Sequence, residues 1–331
     1  MADELTTRGA LVTFAGSPER VEARLVPEAG YELDTFPISG FPRTPSPALL
    51  HALVQAGAAP HACRAILRRR KPDAVLGGGG YVAGPMVVAA RSLRIPAALS
   101  EADAHLGLAN RLAAPFARRV FLAYPLDGRD GAKYEVTGRP IPARSRAIDP
   151  ESAREIFELD PDDRILGVFG ALAGAHALNE FVVETWGAAG PPILHLTGQR
   201  DYEFVRGRVT RPDYRVLPET DRFGAALSAV DVVIARSGSS VWEVAAAGKP
   251  AILVPYPFAT HDHQALNAGH FVRAGGAIMV RELDLDDVPE LARSLLDDPN
   301  RCKRMGAAML AAARPDAAVR IADELIALAG R

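Results

Sequence analysis

The chain of 331 residues holds only two cysteines, Cys63 and Cys302, far apart in sequence. That excludes a disulfide scaffold and a cysteine-based metal site, and it fits a reducing compartment. No stretch reaches the roughly 18 to 20 consecutive apolar residues that a membrane-spanning helix requires. The opening Met1-Ala2-Asp3-Glu4-Leu5 is acidic where a signal peptide is basic, so any contact with a bilayer must be peripheral. An excess of one charge is missing as well: 38 Lys+Arg stand against 40 Asp+Glu, a net charge of -2. This removes the bulk electrostatic argument for a nucleic-acid partner. Aromatics are scarce at 6%, but 48% hydrophobic and 24% charged residues are the balance of an ordinary globular protein. The length is about twice that of a typical domain, which implies two domains.

Short, mostly apolar runs at 10–15, 74–76, 165–169, 230–235 and 251–254 alternate with helix-patterned segments. Runs apolar on both faces suit buried parallel strands and the helical segments supply the crossovers, so the class is α/β. Two segments repeat one theme of strand, tight turn, helix and Pro-led strand. One runs from Pro72 through Gly77-Gly78-Gly79-Gly80 to Ile95-Pro96, the other from Val230 through Ser237-Gly238-Ser239-Ser240 to Lys249-Pro250. A βαβ unit in each half points to two doubly wound domains. The two prolines of Arg139-Pro140-Ile141-Pro142-Ala143 mark the linker, giving one domain over 1–142 and a second over 143–314. The final segment, 315–331, carries Val319, Ile321, Ala322, Leu325, Ile326 and Leu328 at helical spacing, a face to bury, and it is placed to return to the first domain. Residues 1–7 read as the middle of a helix ended by Gly9. A doubly wound domain normally opens with a strand and a phosphate-binding loop ahead of that helix, and this sequence shows neither.

Gly77-Gly78-Gly79-Gly80 follows a strand and opens a helix, so backbone N–H groups and the helix dipole converge on a place suited to phosphate or diphosphate. A tight packing turn is the alternative. Gly170-Ala171-Leu172-Ala173-Gly174-Ala175 stands in the same position ahead of a helix that includes Asn179. Neither loop is followed by Gly-Lys-Ser/Thr or matches the dinucleotide fingerprint, so nucleotide hydrolysis and NAD chemistry drop in rank. In the second half, Glu243 stands where a carboxylate could take two hydrogen bonds from a ribose diol. Asp262, His263, Gln264 and Asn267 follow a strand-loop and suggest a sugar or nucleotide site, with helix capping by Asp262 and Asn267 as the alternative.

These motifs occur together in a known order. Gly77-Gly78-Gly79-Gly80-Tyr81-Val82-Ala83-Gly84-Pro85, Gly107-Leu108-Ala109-Asn110-Arg111, Leu178-Asn179-Glu180, Arg236-Ser237-Gly238, Glu243 through Pro250 and Asp262-His263-Gln264-Ala265-Leu266-Asn267-Ala268 resemble the MurG family of peptidoglycan N-acetylglucosaminyltransferases over nearly the whole chain. The resemblance implies a GT-B fold of two Rossmann-like domains with a cleft between them, acceptor in the first and nucleotide sugar in the second. It implies transfer of GlcNAc from UDP-GlcNAc to undecaprenyl-diphosphoryl-MurNAc-pentapeptide, inverting to a β-1,4 linkage, without metal or cofactor, by a peripheral protein on the cytoplasmic face of an anionic membrane. The implied donor residues are Gly170 and Gly174 near the UDP diphosphate, Asn179, Arg236, Ser237, Gly238, Glu243 on the ribose, and Asp262, His263, Gln264 and Asn267 by the sugar. The implied acceptor residues are Gly77, Gly78, Gly79, Gly80, Tyr81 and Asn110.

The chain also departs from the family. The family opens with a strand and a Gly-Gly-Thr-x-Gly-His loop whose His is a leading candidate for the base, and the sequence begins after that point. The expectation is therefore a transferase whose start lies upstream of Met1. Ser100-Glu101-Ala102-Asp103 replaces His-Glu-Gln-Asn, Leu172 replaces a diphosphate-contacting serine, and Arg139-Pro140-Ile141-Pro142 replaces Asn-Pro-Val-Arg. Asp103 and His105 remain as weak candidates for the base, with solvated loop residues as the alternative, since no spacing favours them. Two other readings stay open: a binding protein for nucleotide sugar or lipid diphosphate that has lost catalysis, and a related glycosyltransferase with another acceptor. For the membrane, Leu50, Leu53, Val54 and Gly57 at helical spacing precede Arg64, Arg68, Arg69, Arg70 and Lys71. An apolar face beside a basic cluster suits an anionic bilayer, and an ordinary core helix with a solvated end is the alternative.

Overall fold

The computed structural model describes residues 1–40, 44, 46–170 and 175–330, leaving aside the side chains of 47–49, 51, 53, 56 and 260. The chain divides into two compact units, Met1–Pro140 together with Asp316–Arg331, and Ile141–Pro315. The division falls two residues ahead of the expected one because the segment after Pro140 is already seated in the second unit. The short 3₁₀ turn Ala143–Ser145 packs on a helix there, where a Cβ on Gly224 would stand 2.0 Å from the Arg146 carbonyl oxygen. Only glycine permits that approach.

The first unit runs α1 (Ala2–Thr7), β1 (Thr13–Gly16), α2 (Glu22–Glu28), β2 (Glu32–Thr35), α3 (Pro47–Arg70), β3 (Val75–Gly77), α4 (Gly80–Ser92), β4 (Ala97–Glu101), α5 (Leu108–Ala113), β5 (Arg119–Leu122) and β6 (Tyr134–Val136). β1 starts later than the run at 10–15 suggests. The N–H of Ala10 turns back to the Leu5 carbonyl, so these residues finish the helix and Leu11 stands in solvent. All pairings are parallel, in a two-stranded sheet β1-β2 and a four-stranded sheet β3-β4-β5-β6. One face carries the larger core, in which Cys63, Ile66 and Leu67 of α3 and Met86 and Val87 of α4 meet Val75, Leu99 and Val120 of the sheet. The opposite face is covered by the last helix, α14 (Ala317–Leu328), whose Ile321 and Leu325 pack on Ala98 and Phe121. Ion pairs Arg119–Glu324 at 3.1 Å and Arg320–Glu135 at 2.6 Å tie it down. Val319, expected on the buried face, instead points to solvent.

The second unit runs α6 (Pro150–Ile156), β7 (Leu166–Phe169), α7 (His176–Trp186), β8 (Ile193–Leu196), α8 (Tyr202–Arg206), β9 (Tyr214–Leu217), α9 (Phe223–Ala229), β10 (Val232–Ala235), α10 (Val241–Ala246), β11 (Ala251–Leu253), α11 (His263–Arg273), β12 (Ala277–Met279), α12 (Val288–Leu296) and α13 (Pro299–Ala312). Its six strands are all parallel in the order β12-β11-β10-β7-β8-β9. β7, β8 and β10 are buried at every residue, as a sheet covered by helices on both faces requires. Among the described residues no helix is long and apolar enough to cross a membrane.

Candidate active site

The first strand of the second unit, β7, lies inside its sheet. The chain winds outward through β8 and β9, then returns to place β10 on β7's other side. The carboxyl ends of β7 and β10 therefore part at a switch point, where open α/β sheets bind ligands. Gly170 and Ala175 beside β7 and α7 lie at this edge, as do the loops 236–240 after β10 and 254–262 after β11. Residues 171–174 of the loop after β7, with Leu172 and Gly174, lie outside the described residues. Gly170 makes its tight exit, since a Cβ there would stand 3.0 Å from the Ala175 nitrogen. The N-terminus of α7 follows at His176 and offers partial positive charge to an anion.

Several residues assigned to the donor lie behind these loops. Asn179 is fully buried, and its Nδ2 donates to the Thr197 carbonyl at 2.8 Å and to Asp201 at 3.0 Å. Its Oδ1 must then accept, so His195 donates from Nε2 at 2.9 Å while His195 Nδ1 accepts from the Tyr214 hydroxyl at 2.8 Å. Complete burial keeps that imidazole neutral, with its pKa pushed down to about 3. Burial also works against the charge on Asp201, but Arg200, Asn179 and His176 outweigh it and hold this carboxyl below its usual range. Arg236 is buried too. Its Nη1 donates to the Val254 and Pro255 carbonyls at 3.3 Å each, its Nη2 pairs with Glu282, and its guanidinium lies 5.6 Å from the Tyr256 ring centroid. Asn267 donates to the Ser237 carbonyl at 3.1 Å. Ser237 is itself fully buried, its hydroxyl without a hydrogen-bond partner among the described residues. Asn179, Arg236 and Asn267 hold the loops from behind, since each donates to backbone carbonyls of the strand ends and turns.

Other residues face the edge. Glu243, in the first turn of α10, is half-buried, and its Oε1 accepts from the Ser145 hydroxyl at 2.7 Å. Gln264 accepts the Tyr256 N–H at 2.9 Å through Oε1, which turns its Nε2 toward Gly238, 3.7 Å from where a Cβ would stand. His261 and Asp262 both adopt left-handed φ, 54° and 52°, an uncommon conformation for side-chain-bearing residues. Asp262 does not cap α11 with its side chain. Its carboxylate lies 3.2 and 3.3 Å from Arg281 Nη1, and His263 opens the helix.

In the first unit, neighbouring strands β3 and β4 bring the glycine loop beside residues 100–107. Gly77 is a packing glycine, since a Cβ would meet Leu99 at 2.8 Å, whereas Gly78 opens on space and Gly79 and Gly80 take φ of 94° and 67°. Tyr81 enters α4 with its ring 3.5 Å from a Cβ built on Gly40 and Arg20 stacked 5.8 Å from its centroid. Asn110 is almost wholly buried and braces the loop: Nδ2 donates to the Ser100 carbonyl at 3.1 Å and to Glu101 at 2.9 Å. Glu101, which motif reading did not single out, gathers the N–H groups of Ala102, Asp103 and Gly107 at 3.0 to 3.2 Å. It thereby sets the loop that carries the half-buried Asp103 and His105. Ser145 and Glu282 were missed as well, and no local pattern marks either.

The N-terminal domain of glycosyltransferase family 28 matches residues 1–122, and the family's C-terminal domain matches 165–321. The UDP-N-acetylglucosamine–N-acetylmuramyl-(pentapeptide) pyrophosphoryl-undecaprenol N-acetylglucosamine transferase of Halothermothrix orenii is 34% identical over 325 residues, covering 92% of this chain and 88% of that protein. The Acidithiobacillus ferrooxidans protein of the same name is 38% identical over 339 residues, covering 100% and 93%. The crystal structure of Acinetobacter baumannii MurG is similar with a TM-score of 0.78 at 26% identity, over 98% of this chain and 94% of that one. The two parallel-sheet units are those of a GT-B glycosyltransferase, and identity at this level over nearly the full length means that the chain belongs to the MurG family of N-acetylglucosaminyltransferases.

Proposed function

We propose that this chain transfers GlcNAc from UDP-GlcNAc to undecaprenyl-diphosphoryl-MurNAc-pentapeptide, inverting the anomeric carbon to a β-1,4 linkage. The observation that carries the reading is a fixed carboxylate and a fixed amide, Glu243 and Gln264, in the first turns of α10 and α11, the helices that follow two loops of the switch-point edge. Glu243 takes the ribose diol. Gln264, its Oε1 committed to Tyr256, offers Nε2 to a hydroxyl of the donor sugar. As UDP departs, the N-terminus of α7 stabilises the diphosphate charge with dipoles already in place. The glycine loop of the first unit takes the acceptor's diphosphate, and the loop set by Glu101 presents Asp103 and His105 as the groups able to accept the acceptor hydroxyl's proton.

The acceptor's lipid brings the protein to a membrane. Support comes from the first unit, where Leu50 and Val54 of α3 and Leu108, Leu112 and Phe116 of α5 and its following turn are exposed, with α4 packed against both helices. The basic end of α3 contributes less than its sequence suggests. Arg69 and Arg70 are bound to Asp34 at 2.6 and 2.7 Å, and Arg70 also pairs with Glu32.

Calorimetry tests the donor reading. Glu243→Ala should weaken UDP binding by about 1.5 to 3 kcal/mol, the range for hydrogen bonds to a charged group. An unchanged affinity removes Glu243 from the site.

A further inference from the structure

Glu243 is held by a residue 98 positions away in sequence, the hydroxyl of Ser145, which donates to its Oε1 at 2.7 Å. Ser145 is 2% exposed and belongs to the 3₁₀ turn Ala143–Ser145 that opens the second unit. That turn cannot drift. Its following carbonyl, at Arg146, stands where Gly224 of α9 leaves no room for a Cβ, and the Ile148 N–H donates to Ser228 of the same helix at 2.9 Å. Ser145 is thus a donor on a rigid mount, aimed at one oxygen of a half-buried carboxylate. An ionised carboxylate has about four acceptor positions over its two oxygens. Committing one to a fixed hydroxyl leaves Oε2 and the second lone pair of Oε1, and it fixes the plane in which they lie.

We infer that Ser145 is a positioning residue for nucleotide recognition: it locks the Glu243 carboxylate in the plane that receives both hydroxyls of a ribose, and so sets the preference for ribonucleotide over 2′-deoxyribonucleotide donors. The inference rests on Glu243 holding the ribose. A carboxylate free to rotate still meets a lone 3′-hydroxyl, but meeting two adjacent hydroxyls at once requires one orientation. The entropy of fixing it is supplied by the fold before the ligand arrives.

The test is the affinity of UDP against 2′-deoxy-UDP, measured by calorimetry on the full chain carrying Ser145→Ala, Ser145→Thr or Glu243→Ala. The ratio of the two affinities is independent of the folded fraction, because unfolded chain binds neither nucleotide. Ser145→Ala should weaken UDP roughly three- to tenfold, as expected for one hydrogen bond, and deoxy-UDP by less than about twofold. The ratio then falls toward one. Ser145→Thr, which keeps the hydroxyl, should keep the ratio, and adding Ser145→Ala to Glu243→Ala should change nothing further. If Glu243→Ala abolishes the preference while Ser145→Ala leaves it whole, the ribose reading stands and the role of Ser145 is overturned. If Glu243→Ala leaves both affinities unchanged, the ribose reading falls and the inference falls with it.

Discussion

His195 is the second unit's buried crosslink, and its burial makes the stability of that unit depend on pH. Its ring spans from Tyr214 on β9 to Asn179 on α7, and Asn179 in turn holds Asp201 and the Thr197 carbonyl. With its pKa near 3 in the folded state against about 6.5 in the unfolded chain, His195 gives up no stability above about pH 6.5. As pH falls from there toward 3, the unfolded state binds the proton and the folded state does not, so stability declines. Denaturant titrations between pH 8 and 4 should show that decline, and His195→Gln should flatten it. An unchanged pH profile in the variant would assign the decline to other groups. Residues such as Asn179, Arg236 and Asn267 also mark the limit of sequence reading. Their motifs located the loops at the switch-point edge, but a polar side chain turned outward and one turned inward to hold a carbonyl are the same letter in sequence. Glu243 and Gln264 differ from them only in burial and in the partner each has, which no spacing encodes.

At the scale of elements, the alternation of apolar runs with helical segments was legible because both-face burial leaves a continuous apolar signature, seen in β7, β8 and β10. The ends were less legible. The run at 10–15 begins as a helix-terminating turn, and β10 and β11 are each shorter than their apolar stretches, although the flanking Asp231 and Val254 N–H groups still donate to the Ile165 and Ala235 carbonyls at 2.8 Å each. The long helix α3 was read as an apolar face with a basic end, and only the structure shows what that end holds. Arg70 reaches Asp34 on β2 through Nε at 2.7 Å and Nη2 at 3.2 Å, and it keeps that carboxyl below the usual range with Arg69 assisting. Arg68, two residues before Arg70, is exposed. Arg70→Ala should therefore lower the melting temperature, whereas Arg68→Ala should leave it in place. Equal melting temperatures for the two variants would show that the Asp34 cluster adds nothing to the anchoring of α3.

For the whole molecule, the proposed membrane contact rests on apolar side chains more than on charge, because Arg69 and Arg70 are already paired with Asp34 and Glu32. Vesicle co-sedimentation should fall when Leu108, Leu112 and Phe116 are changed together to Ser and should respond only weakly to Arg68→Gln. Binding that survives the triple change would place the membrane contact elsewhere. The family-level fold was readable because six motifs kept their order over nearly 200 residues, from Gly77 to Ala268. The catalytic base was not, since neither Asp103 nor His105 sits in a spacing that demands its role. Turnover decides whether the chain is a transferase or only binds the nucleotide sugar. With labelled UDP-GlcNAc and undecaprenyl-diphosphoryl-MurNAc-pentapeptide in mixed micelles, label should appear in a β-1,4-linked lipid product, with UDP released in equal amount and only when both substrates are present. UDP-GlcNAc that binds and is never transferred to that acceptor would contradict it and leave a nucleotide-sugar binding protein in its place.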